Sequence, residues 1–219
     1  GRLVEADVVV VNAHAKLLPD LVDDLPGDYA RTLRSLRTSP TAVSAYLGVR
    51  ADLSRVPERV KSLDHGLGIA VSSNVDPSLA PEGCSTVSVL RLLPTEAYDL
   101  FGERGTPEYE RAKREAAEEL VGSAEEVIPG LREGAVVVDA ATPRTFERYT
   151  LSPRGAIYGL DQSAGSERPF FKTPVRGLYL AGACTFPGGG VEAVAISGAI
   201  AANDVSGWPR RARPRRCSR

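Results

Sequence analysis

Residues 177–204 constrain the chain more than any other stretch. Gly177-Leu178-Tyr179-Leu180-Ala181-Gly182 reads as a short buried strand, and it leads into Gly188-Gly189-Gly190. The residues that follow, 191–203, are small, apolar and free of proline, the pattern of a closely packed helix. A strand, a glycine turn and a helix in that order form an α/β unit. Its helix begins at the turn with unpaired N–H groups and the positive end of its dipole, so the unit is built to receive an anion. Ala193, Ala195, Ser197, Gly198, Ala199, Ala201 and Ala202 keep the helix surface low, which lets another backbone or a flat ring approach.

Gly188-x-Gly190-x-x-Ala193 also satisfies the dinucleotide-binding pattern with its permitted final alanine. That pattern requires an acid at a strand end about 20 residues later, whereas here the chain runs into Gly207-Trp208-Pro209 and a basic tail. The turn is therefore not the primary nucleotide fingerprint. Gly66-x-Gly68 does not replace it, because Val71 takes the third glycine position and no strand is expected before it.

The opening of the chain raises a second constraint. Ala6-Asp7-Val8-Val9-Val10-Val11-Asn12 is a β-branched run of the kind found in strands buried on both faces. Such a strand needs neighbours on each side, so the chain is expected to begin in the middle of a fold. It starts with Gly1 and contains no methionine, which points to a processed, trimmed or tagged product.

Between these ends the pattern is shorter and mixed. Residues 42–49, 85–93 and 136–138 read as strands, and the turn-rich stretch 72–83 carries Asp76-Pro77 and Ala80-Pro81. Thr106-Pro107 starts a helix with Tyr109, Ala112, Ala116 and Leu120 on one face. Gly122 is expected to end it. Ser123 and Glu126 would then cap a short second helix that stops at Pro129-Gly130.

Composition removes several classes of function. With only His14 and His65, and with Cys84, Cys184 and Cys217 widely spaced, no metal-ligand or disulfide pattern is present and a reducing cytoplasm is the expected location. No apolar run approaches the roughly 20 residues of a membrane helix. The tail 209–219 holds six arginines and no acid, while the body is acidic overall. The tail reads as disordered; its charge also suits a contact with a partner or an anionic membrane surface. Nucleic acid is not expected, since no aromatics are interleaved with the arginines.

The run Thr173-Pro174-Val175-Arg176-Gly177-Leu178-Tyr179-Leu180-Ala181-Gly182-Ala183-Cys184-Thr185-Phe186-Pro187-Gly188-Gly189-Gly190-Val191 resembles the C-terminal flavin signature of phytoene desaturases, carotenoid isomerases and retinol saturases. Three further segments resemble that family in the same order. They are Ala6 to Ala13, Asp76-Pro77-Ser78-Leu79-Ala80-Pro81-Glu82-Gly83, and Arg154-Gly155-Ala156-Ile157-Tyr158-Gly159. The resemblance covers nearly everything before the tail.

It implies the C-terminal portion of a two-domain FAD-binding oxidoreductase that lacks the N-terminal G-x-G-x-x-G unit. A partial FAD domain would comprise residues 1–26 and 156–208, and an α+β substrate part residues 27–155. FAD would meet Gly182 and Ala183 at its pyrophosphate and ribityl end, and Gly188, Gly189, Gly190 and Val191 near its ring. The implied chemistry is hydride transfer between a substrate C–H and the flavin, on a small apolar substrate. The implied partner is a second polypeptide carrying the missing fingerprint, which makes a heterodimer.

No side chain stands out as a catalyst. Glu192 could handle a proton, and helix capping explains it equally well. His14, at the strand end, reads as a solvated or interface residue. Tyr158 and Phe186 suit either a pocket or a core. Amine or amino-acid oxidation on a related fold, and a non-catalytic scaffold, are the competing readings.

Overall fold

The computed structural model describes residues 3–207, so the basic tail lies outside the described residues. In chain order the elements are β1 (Val9–Val11), α1 (Leu18–Leu21), α2 (Gly27–Ser35), β2 (Thr41–Val49), β3 (Arg59–Ser62), β4 (Leu67–Val71), β5 (Ser85–Leu93), α3 (Pro107–Val127), α4 (Leu131–Gly134), β6 (Ala135–Ala141), α5 (Pro143–Thr150), β7 (Leu178–Leu180) and α6 (Val191–Ser206). They fall into two compact units, Gly1–Ser39 with Tyr158–Arg219, and Pro40–Ile157.

The second unit is an antiparallel sheet in the order β3-β4-β5-β2-β6, covered on one face by α3. Alternation decides that face. Val43, Ala45, Leu47 and Val49 of β2 point to the same side as Val87 and Val89 of β5, and they pack with Leu120, Val121 and Ala124 of α3. The intervening residues Tyr46, Leu92 and Val137 lie on the opposite face and are exposed. That second face is only partly open, because Ala42 and Ser44 on it are buried, and an antiparallel sheet is stable with one face covered and the other partly solvated.

Two expectations fail here for identifiable reasons. Gly122 does not end α3, which continues to Val127. Val121, Ala124 and Ile128 are buried against the sheet, and their packing outweighs the roughly 1 kcal/mol cost of a helical glycine. Ser123 therefore caps nothing; its hydroxyl accepts a hydrogen bond from Arg91 Nη2 at 3.0 Å. A strand does precede Gly66: β3 and β4 form a hairpin with Gly66 in its turn at φ 61°. Gly66-x-Gly68 still makes no nucleotide fingerprint, because β4 and not a helix follows it. The Thr106 cap is present, its Oγ1 accepting from Tyr109 N at 3.2 Å.

In the first unit β1 and β7 run parallel, pairing Val9 with Leu178 and Val11 with Leu180. Beneath them Ala15, Leu18, Ala30, Leu33, Leu36, Leu160 and Cys184 form a separate core. α2 contributes Ala30 and Leu33 to that core, so it belongs with this unit and not with the substrate part where the boundary at residue 27 would put it. The expected burial of β1 on both faces is not met within this chain. Val9 and Val10 are each 49% exposed, since β7 is the only strand pairing with β1 among the described residues. His14 is likewise not solvated. It is buried, and its Nδ1 accepts from Lys16 N at 3.2 Å.

Candidate functional site

The glycine turn between β7 and α6 is the site that the sequence singles out, and its glycines do different work. Gly182 has φ 101°, and a Cβ there would lie 2.1 Å from Asn12 Oδ1 at the end of β1. Its N–H donates to Ser197 Oγ at 2.9 Å, which ties the strand end to the middle of α6. Gly188, at φ 123°, leaves room for Gln162 Oε1, from which a Cβ would be 2.3 Å. At Gly189 a Cβ would sit 2.9 Å from Tyr158 Cβ. These three glycines are demanded by side chains of the same unit.

Gly190 is different. It takes φ 114° at the N-cap of α6, and no described atom lies within 4 Å of where its Cβ would be. No side chain caps the helix there, so its first N–H groups face outward. Val191 is 80% exposed beside it, and Glu192 is exposed in the first helical turn. The site therefore presents an open, left-handed glycine at an uncapped, electropositive helix end.

The ionisable groups near the turn are shifted by their surroundings. Burial pushes the Cys184 thiol above its ordinary value, so it is not a poised thiolate. Burial lowers the His14 pKa, partly offset by the Gly159 carbonyl, and His14 Nε2 meets no hydrogen-bond partner. Hydrogen bonds from Ser163 hold the Asp161 carboxyl below the usual range. Among the described residues no group of His, Cys, Asp and Glu could hold a metal, and no helix is long and apolar enough to cross a membrane.

α6 is apolar on most of its surface. Ser197 and Ala201 are buried, while Val191, Ile196 and Val205 are exposed. A helix apolar all round is normally covered on all sides. Asn12, Gln162, Arg168 and Ser197 complete the surroundings of the turn. Gln162 and Arg168 escaped the sequence reading because they come from another segment and no local pattern marks them, while Asn12 and Ser197 were read only as a strand end and a small helix residue.

A parallel strand pair, a positive-φ glycine turn and a helix N-terminus together define a nucleotide-cofactor α/β unit, joined here to an antiparallel α+β unit. The chain belongs to the flavin-containing amine oxidoreductase family, which it matches over residues 1–206. FAD is the cofactor that this family implies, and among its members the chain is similar to carotenoid isomerases and desaturases. It is 28% identical to the chloroplastic prolycopene isomerase of Daucus carota over 94% of this chain and 36% of the relative. It is 34% identical to the neurosporene-forming phytoene desaturase of Rhodobacter capsulatus over 67% of this chain and 28% of that protein. An all-trans-retinol 13,14-reductase of Macaca fascicularis is 32% identical over 62% of this chain. The fold agrees with an oxidoreductase from Methanosarcina mazei, at a TM-score of 0.60 and 19% identity, covering 92% of this chain and 44% of that one. The chain thus spans well under half the length of these relatives.

Proposed function

We propose that this chain supplies the ring-facing wall of an FAD site in an oxidoreductase acting on an apolar, unsaturated substrate. The observation that carries the reading is Gly190, whose left-handed backbone, open Cβ side and uncapped helix end suit the carbonyl-rich edge of a flavin. Gly182 and Ala183 would meet the pyrophosphate and ribityl end, and Gly188, Gly189 and Val191 would frame the ring. When bound, FAD supplies the acceptor for a hydride taken from a substrate C–H.

The chain's own residues provide position and field. The N-terminus of α6 stabilises negative charge beside Gly190. Val191 and Phe186 present exposed apolar surface next to the turn. Glu192 is the one ionisable side chain in the first turn of α6, and it would carry a proton only if substrate comes within its reach. In the second unit the exposed face bearing Tyr46, Leu92 and Val137 offers apolar contact to a substrate of this class.

The partner is a polypeptide segment carrying the G-x-G-x-x-G fingerprint. Exposed Val9, Val10 and Ile196 support this, because they are apolar surfaces that further elements of a parallel-sheet domain would cover. The free thiols of Cys84 and Cys184 support a reducing, cytoplasmic location.

The test is to assemble the chain with that segment and record the flavin spectrum. A bound flavin that is reduced anaerobically by an apolar polyene supports the reading. Reduction only by an amine, with peroxide release in air, would favour amine oxidation, and a stable assembly without flavin would leave a scaffold.

A further inference from the structure

We infer that Gln162 is a positioning residue that sets the orientation of the glycine turn, and with it the helix end at Gly190. The inference rests on the reading of Gly190 as the flavin-facing residue. It deepens that reading by naming what holds Gly190 in place.

Gln162 uses its whole hydrogen-bonding capacity. Its Nε2 donates to Tyr158 O at 2.9 Å and to Leu160 O at 2.6 Å. Its Oε1 accepts from Gly189 N at 3.1 Å and from Arg168 Nη2 at 3.0 Å. An amide has two donor hydrogens and one acceptor oxygen with two lone pairs, so none is left over for another partner.

The turn is shaped to receive this side chain. A Cβ at Gly188 would strike Gln162 Oε1 at 2.3 Å, so the glycine is required by Gln162 itself. Arg168 Nη1 reaches Pro187 O at 3.4 Å, and its Nη2 also reaches Asp161 O at 3.3 Å. Gln162 and Arg168 therefore grip the turn before and after Gly188. On the far side the Gly182 N–H is bonded to Ser197 Oγ. α6 is fixed at its middle by Ser197 and at its beginning through Gly189, which aims its N-terminus.

A loss of the Gly189 bond frees the turn; because Gln162 Nε2 also bonds the carbonyl of the buried core residue Leu160, the protection of β1 and β7 is followed beside it. The field at Gly190 then changes direction, and negative charge there is held less well. Gln162 acts through the backbone of Gly189 and Gly190 and is not itself a catalytic residue.

The experiment uses the flavin-loaded assembly with Gln162→Met, which nearly preserves volume, and Gln162→Glu, which keeps the acceptor for Gly189 and a partner for Arg168. Amide hydrogen exchange over residues 188–194 is measured together with flavin affinity and reduction potential. Gln162→Met is expected to speed exchange there about tenfold, weaken flavin binding by a similar factor and lower the potential, while β1 and β7 stay protected. Gln162→Glu keeps the acceptor for Gly189 but sets a carboxylate oxygen against the Tyr158 and Leu160 carbonyls that Nε2 served, so it is expected to restore part of the protection and not all of it. Unchanged exchange in Gln162→Met overturns the inference. So does lost protection with affinity and potential both at wild-type values. A wild-type assembly that holds no flavin refutes the reading of Gly190 instead, and the exchange measurement still decides whether Gln162 holds the turn.

Discussion

The Gly182 N–H donates to Ser197 Oγ across 2.9 Å, and both residues are buried where β7 meets α6. This one bond joins a strand end to a helix that is otherwise mostly exposed. Ser197→Ala leaves a buried N–H without a partner, a loss of about 1–3 kcal/mol. Thermal denaturation is expected to show that loss, and α6 to become more susceptible to proteolysis. Wild-type behaviour in both would mean that water takes over the bond.

Gly182→Ala is expected to be worse, because it combines a left-handed φ with a Cβ only 2.1 Å from Asn12 Oδ1. Strain and overlap together should cost more than about 2 kcal/mol. Asn12→Ala in the same chain removes the overlap and leaves the strain. The double variant should therefore recover part of the lost stability and not all of it, as read by denaturant melts.

At Gly190 there is strain without overlap, since the space beyond it is open. Gly190→Leu should leave both cores folded and abolish flavin retention in the assembled protein. Circular dichroism reads the first and the visible absorbance of the purified assembly reads the second. Full flavin occupancy in a folded variant would remove Gly190 from the site.

His14 makes stability depend on pH. Its folded pKa lies below the ordinary value of about 6.5, so the unfolded chain binds more protons in that range. Stability is expected to fall as pH drops from about 7 to 5, well before the carboxylates titrate. His14→Gln keeps an acceptor for Lys16 N and should flatten that part of the curve, measured by denaturant midpoints at each pH.

Leu151 ends α5 in the left-handed conformation at φ 56° and is exposed. A leucine there carries a conformational cost that glycine avoids. Leu151→Gly should raise stability of the second unit by about 0.5 kcal/mol, after the glycine's own entropy cost is subtracted.

The local chemistry of this protein is readable from its amino acids. Ser85–Leu93 forms a strand where its alternation places one, Thr106 caps α3, and α6 begins at Val191 directly after the three glycines. The family signature at 173–191 is legible for the same reason, because a strand, a turn and a helix start are neighbours along the chain. Distant contacts were out of reach of any such reading. Gly122 looks like a helix end until Val121 and Ala124 are seen buried against the sheet. Nothing local shows that Asn12, Gln162 and Tyr158 stand beside Gly182, Gly188 and Gly189, or that the space beyond Gly190 is open. Propensity and turn chemistry act over a few residues and are written locally. Which atom fills the space above a glycine depends on residues far away in sequence, and only the folded chain brings them together.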